Sequence, residues 1–87
     1  MHAVVIDVTI SDRAAAEAEL DGLAAQVSAA PGFVAAYWVH LAGDKGTSML
    51  VFDNPAAAEG LAAMARMAPA AAVTTERIEV GEVIRHA

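Results

Sequence analysis

Three side chains, Asp7, Trp38 and His40, could do chemistry by their type and surroundings. Asp7 interrupts the apolar run His2–Ile10, where a charge is costly unless it has a partner. His40 follows Trp38 by two residues, so both point to the same side of a strand. Histidine exchanges protons near neutral pH, and an aromatic ring can stack on a planar molecule. These residues are therefore candidates for proton transfer and for binding a flat apolar compound.

Two interpretations of Asp7 stay open. It could form an ion pair across the sheet with Arg77 or Arg85 of the last strand. It could instead be a general base or a substrate anchor in a cavity without a cationic partner. We prefer the cavity, because arginine stems are long and flexible and favour water at a sheet edge. This preference predicts that Asp7→Asn melts at or above the wild-type temperature, since a strained charge is removed.

The sequence offers no recognisable site for a metal, a heme or a nucleotide. There is no cysteine, and the three histidines lack the spacing of metal ligands. Gly43 to Gly46 is typical of a hairpin turn and not of a phosphate loop, because no helix follows it. We expect no cofactor. His40 alone specifies no reaction, so it is equally a solvated residue near the hairpin or a packing residue at a dimer edge.

The elements that must position these residues follow the order β-α-β-β-α-β. Apolar alternation predicts strands over His2–Ile10, Phe33–Ala42, Thr47–Phe52 and Thr74–Ile84. Helical spacing and cap signals predict helices from Ser11 to about Ala30 and from Asn54-Pro55 to Ala68, with Pro69 ending the second and a loop over 70–73. The fold class is α+β: a ferredoxin-like four-stranded antiparallel sheet, both helices on one face, strands 1 and 3 central.

Length and charge limit the classes of partner. The 87 residues fit one domain over 1–87 with a small core. Five basic against eleven acidic residues give a net charge of −6, which argues against nucleic acid and anionic membranes. The N-terminal segment lacks the basic start of a signal peptide, so we expect a cytoplasmic protein.

Two helices cover only one face of such a sheet, yet the strands carry large apolar groups on both faces. Val5 alternates with Val4, and Trp38 alternates with Tyr37. An uncovered apolar face marks an interface, and burying ~500 Å² of it per subunit would contribute on the order of 10 kcal/mol before association costs. We therefore predict a homodimer formed through the sheet face that carries Val5, Trp38 and His40.

Two stretches of sequence resemble a known family. The turn Pro31-Gly32-Phe33 and the strand-into-helix passage 49–59 (MLVFDNPAAAE) are similar to those of the dimeric α/β-barrel superfamily, in particular the small antibiotic-biosynthesis-monooxygenase-like proteins. The resemblance covers nearly the whole chain and implies two subunits whose sheets pack face to face into a barrel. Members include cofactor-free oxygenases acting on aromatic polyketides, heme-degrading monooxygenases, cyclases and isomerases.

The heme-degrading branch of that superfamily fits the sequence poorly. Its members use an asparagine on strand 1, a tryptophan in the second half and a histidine on the second helix. Here strand 1 offers Asp7, the only tryptophan is Trp38 on strand 2, and the second helix has no histidine. We therefore do not expect heme degradation.

The resemblance implies a small cofactor-independent monooxygenase or cyclase acting on a planar hydrophobic molecule. In it Asp7 and His40 would handle protons, and Val5, Tyr37 and Trp38 would shape the pocket. The alternative is a non-catalytic homodimeric module that binds a small ligand or only assembles. An enzyme should seat at least two polar groups in one apolar pocket, whereas an assembly module should pair Asp7 with an arginine.

Overall fold

The computed structural model describes residues 1–68 and 72–87, and its elements follow the predicted order. They are β1 His2–Ile10, α1 Arg13–Ser28, β2 Phe33–His40, β3 Lys45–Phe52, α2 Pro55–Met67 and β4 Val73–Glu82. The strands lie in the order β2-β3-β1-β4, and all neighbours are antiparallel. Strands β1 and β3 are therefore central, which confirms the ferredoxin-like fold. No helix of the described ranges is long and apolar enough to cross a membrane.

The core lies between the helices and one face of the sheet. Strands β1 and β3 supply Val4, Leu50 and Phe52, each almost fully buried. Ala58 and Ala62 of α2 complete the layer with a buried valine of α1. Alanine side chains let a helix backbone approach the sheet closely, so large strand residues meet small helix residues. Both helices thus cover the same face of the sheet.

Helix α1 begins one residue later than the sequence predicts. The Asp12 carboxylate accepts a hydrogen bond from the Ala15 backbone N–H at 3.1 Å and caps the helix. The predicted cap, Ser11, instead donates its hydroxyl to the Ala72 carbonyl at 2.9 Å. The Ser11 side chain therefore ties the end of β1 to the start of β4, and the neighbouring carboxylate takes the capping role.

Three strands end or begin at other residues than predicted, because the neighbouring strand offers no further residue to pair with. Strand β2 ends at His40 and β3 begins at Lys45, because the Leu41 N–H donates to the Lys45 carbonyl and closes the hairpin. Strand β4 ends at Glu82, the residue that pairs with the first residue of β1. Val73 belongs to β4 and not to the predicted loop. The predicted helix stop at Pro69 and most of that loop lie outside the described residues.

The turn before β2 depends on Gly32. Its φ is +81°, and an added Cβ would lie 2.7 Å from Asp53 Oδ1. We expect Gly32→Ala to lower the free energy of unfolding by ~1–3 kcal/mol. As control, Gly60→Ala on α2 enters open space and should raise it by ~0.5–1 kcal/mol. Urea denaturation measures both, and an unchanged midpoint for Gly32→Ala would contradict this account.

Candidate functional site

The sheet face turned away from the helices, here called the open face, carries an apolar depression. Val5 on β1 lies opposite Met49 on β3, and Met49 lies opposite Tyr37 on β2. Tyr37 on the edge strand β2 is 61% exposed, and Met49 on the central strand β3 is 46% exposed. Together they form an exposed apolar patch, which is more informative than a single exposed residue. The depression has a volume of about 270 Å³, and the open-face residues that line it are Val5, Tyr37, Val39, Thr47 and Met49.

Trp38 and His40 do not share this face. Trp38 lies opposite Ser48, which lies opposite Ile6, and these positions face the helices. The Trp38 side chain packs against the core. The predicted interface that groups Val5 with Trp38 and His40 is therefore wrong for the latter two residues.

A β-bulge at Val34 is the physical reason. Phe33 pairs with Phe52 and faces the helices, so strict alternation would turn Tyr37 inward and Trp38 outward. The next paired residue of β2 is Ala35, however, so Val34 is an extra residue in the strand. One extra residue reverses the facing of every side chain that follows. Tyr37 is exposed on the open face as a result.

Asp7 lies on the open face beside the depression and has a cationic partner. Its Oδ2 is 2.8 Å from Nη2 of Arg77, and the Thr47 hydroxyl donates to its Oδ1 at 2.8 Å. The preferred sequence-based interpretation, a carboxylate without a cation, is wrong for this subunit. The register is the reason, because Arg77 lies directly opposite Asp7. Arg85 lies beyond the end of β4.

His40 is exposed near the hairpin, with Nε2 3.0 Å from the Gly43 carbonyl oxygen. It lies on the helix side of the sheet and Asp7 on the open side, so the fold does not bring the two together. Neither His40, His2 nor His86 lines the depression. Within 1–68 and 72–87, no three His, Cys, Asp or Glu side chains are grouped as metal ligands.

A row of polar groups, here called the polar strip, borders the depression. It comprises Asp7, Thr9, Lys45, Glu76, Arg77 and Glu79. Lys45 donates to the Thr9 hydroxyl, which donates to Glu76, both at 2.8 Å. Arg77 also lies 3.4 Å from Glu79.

Apart from Asp7 and Arg77, sequence reasoning did not identify the residues of the polar strip, nor Met49 and Thr47, as site residues. The alternation of side chains along β3, counted from the hairpin, is the sequence signal that could have placed Thr47 and Met49 on the open face.

Comparisons with known proteins support the fold. No protein-family model matches the chain, and no curated protein sequence matches it. Among solved structures, the heme-degrader MhuD from Mycobacterium tuberculosis, with two hemes bound in its active site, is similar with a TM-score of 0.53. The match has 23% sequence identity and covers 97% of this chain and 98% of that one. The chain therefore has a ferredoxin-like α+β fold, shared with MhuD, as the resemblance drawn from its sequence predicted.

Proposed function

We propose that the protein is a homodimer whose subunits pack through their open faces and bind a planar hydrophobic small molecule between them. The observation that carries this proposal is the exposed apolar depression around Tyr37 and Met49. Exposed apolar groups of this size on one sheet face are typical of an interface or a ligand site.

A second copy of the chain is the occupant that best fits the open face. The large exposed apolar residues of this face lie together on β2 and β3, whereas the charged residues lie mainly on β1 and β4. A two-fold interface brings the same patch of both subunits together, so the apolar halves can cover each other. Covering the open face would also stabilise the protein, because the core of so small a domain buries little apolar surface on its own.

The volume between two open faces suits a flat ligand. Each depression measures about 270 Å³, so the combined volume of two facing depressions falls within the range of roughly 300–1,000 Å³ typical of small-molecule sites. The Tyr37 ring offers a stacking surface, and Thr47 offers a hydroxyl group. MhuD carries hemes, which are planar, on the same fold. No histidine of this chain lines the depression, so we propose a flat organic molecule and not an iron porphyrin.

We prefer ligand binding over catalysis because the two candidate proton-transfer residues, Asp7 and His40, are not available in the depression. Asp7 is engaged by Arg77 and Thr47, and His40 lies on the other side of the sheet. A cofactor-independent monooxygenase or cyclase acting on the same ligand is the second candidate, favoured by the likeness to MhuD. It would need a ligand that displaces Arg77 from Asp7, which then accepts a proton.

The neutral fluorophore 1-pyrenemethanol tests the proposal. We expect saturable binding by the wild type and affinity about three- to tenfold weaker for Met49→Ala, because apolar contact is lost. Met64 on α2 is 68% exposed and lies away from the open face, so Met64→Ala serves as the matched control and should bind like the wild type. Equal losses in the two variants, or no saturable binding by the wild type, would refute the proposal.

A further inference from the structure

We infer that the open face selects planar aromatic ligands that carry a positive charge over those that carry a negative charge. The inference rests on the proposed function and specifies the chemical class of its ligand. It is carried by the charges of the polar strip and by the exposed ring of Tyr37, two features that act on a bound molecule from different sides of the depression.

The part of the polar strip nearest the depression has more acid than base. Glu79 lies directly opposite Val5 in the β1–β4 register, so it stands beside the floor of the depression. Its carboxylate and that of Asp7 share one guanidinium, Arg77, at 3.4 and 2.8 Å. Two carboxylates with one cation leave a net negative charge. Glu79 holds the longer contact and its side chain is 63% exposed, so it is the group free to meet a cationic ligand.

The remaining charged residues of the polar strip do not cancel the net negative charge beside the depression. Lys45 reaches the Thr9 hydroxyl, which in turn donates to Glu76. One ammonium and one carboxylate cancel there, farther along the sheet. In a two-fold dimer each net charge occurs twice around the enclosed space, and the whole chain carries −6. An aromatic anion therefore meets repulsion and an aromatic cation meets attraction.

Tyr37 adds a stacking surface that selects the flat aromatic part of the ligand. Its side chain is 61% exposed on the depression. The ring stacks on a flat apolar ligand. The flat part of a ligand can stack on the Tyr37 ring of β2 while its cationic group meets the Glu79 carboxylate of β4, at the other side of the depression.

Three matched fluorophores test the inference: 1-pyrenemethylamine, a cation at neutral pH, neutral 1-pyrenemethanol, and anionic 1-pyreneacetate. At low salt we expect the cation to bind about tenfold more tightly than the anion, with the neutral probe between them. Glu79→Gln should reduce this ratio several-fold, because one carboxylate beside the depression is neutralised. Glu82→Gln is the control, because Glu82 lies on the same strand opposite His2 and faces the other side of the sheet. Added salt should reduce the ratio as well.

The outcomes separate this inference from the proposed function. If the neutral probe binds and the anion binds as tightly as the cation, the inference is overturned and the proposed function stands. If Glu82→Gln changes the ratio as much as Glu79→Gln does, the selectivity is an effect of overall charge and the inference is also overturned. If none of the three probes binds saturably, both are wrong.

Discussion

Replacing Met49 by aspartate should convert the dimer into a monomer. Met49 lies on a central strand of the open face and pairs with Val5 on one side and Tyr37 on the other. In the proposed dimer it would be covered, so the substitution would place one unpaired carboxylate per subunit in an apolar interface. Burying an unpaired charge costs several kcal/mol, which corresponds to a dissociation constant raised by ~100-fold or more. Sedimentation velocity across a concentration series measures the shift.

Met64→Asp is the control for that experiment. It introduces the same charge on α2, at a methionine that is more exposed than Met49, and it should leave the dimer intact. A dimer that survives Met49→Asp, or dissociates equally with Met64→Asp, would show that the subunits do not associate through the open face.

Asp7→Asn should destabilise the protein, the reverse of the sequence-based expectation. The substitution keeps the shape of the side chain and removes the charge that faces Arg77 at 2.8 Å. In a single subunit the two side chains are 35% and 50% exposed, so the loss there is about 1 kcal/mol or less. In the proposed dimer the face would be covered, and Arg77 would keep only its longer contact with Glu79, at 3.4 Å, so the loss there should rise towards the ~3–5 kcal/mol of a broken buried pair. The thermal midpoint should therefore fall clearly at concentrations where the dimer is populated.

A double-mutant cycle with Arg77→Gln isolates the pair. Removing both charges should cost less than the sum of the two single changes, because the contact between Asp7 and Arg77 can be lost only once. Glu17→Gln is the control. Glu17 pairs with Arg13 on the exposed side of α1, and its loss should change stability by less than about 0.5 kcal/mol. Asp7→Asn melting at or above the wild type would restore the interpretation of Asp7 as a strained carboxylate.

The element order and the strand order were predictable because they depend on local patterns. Alternation in β1, the turn at Gly32 and the Asn54-Pro55 helix start each occur within a few residues of sequence. The rules of strand connection then permit few topologies. The covered face of β1 was predictable too, since Val4 and its even-numbered neighbours form a continuous apolar row.

The facing of β2 was not predictable, because it depends on one extra residue. Val34 has ordinary strand chemistry, and nothing in its type signals a bulge. The sequence-based prediction therefore placed Trp38 on the open face, where the structure has Tyr37. The register between strands that are far apart in the sequence, such as β1 and β4, could not be predicted either. The pairing of Asp7 with Arg77 depends on a second bulge, at Glu76, where β4 gains one residue relative to β1.

Sedimentation of the wild-type protein with 1-pyrenemethanol, followed at the absorbance of the fluorophore, tests the central claim most directly. The account predicts that the fluorophore sediments with a species of twice the chain mass of 8.9 kDa. A single protein species at 8.9 kDa, or a dimer that sediments without the fluorophore, would contradict it.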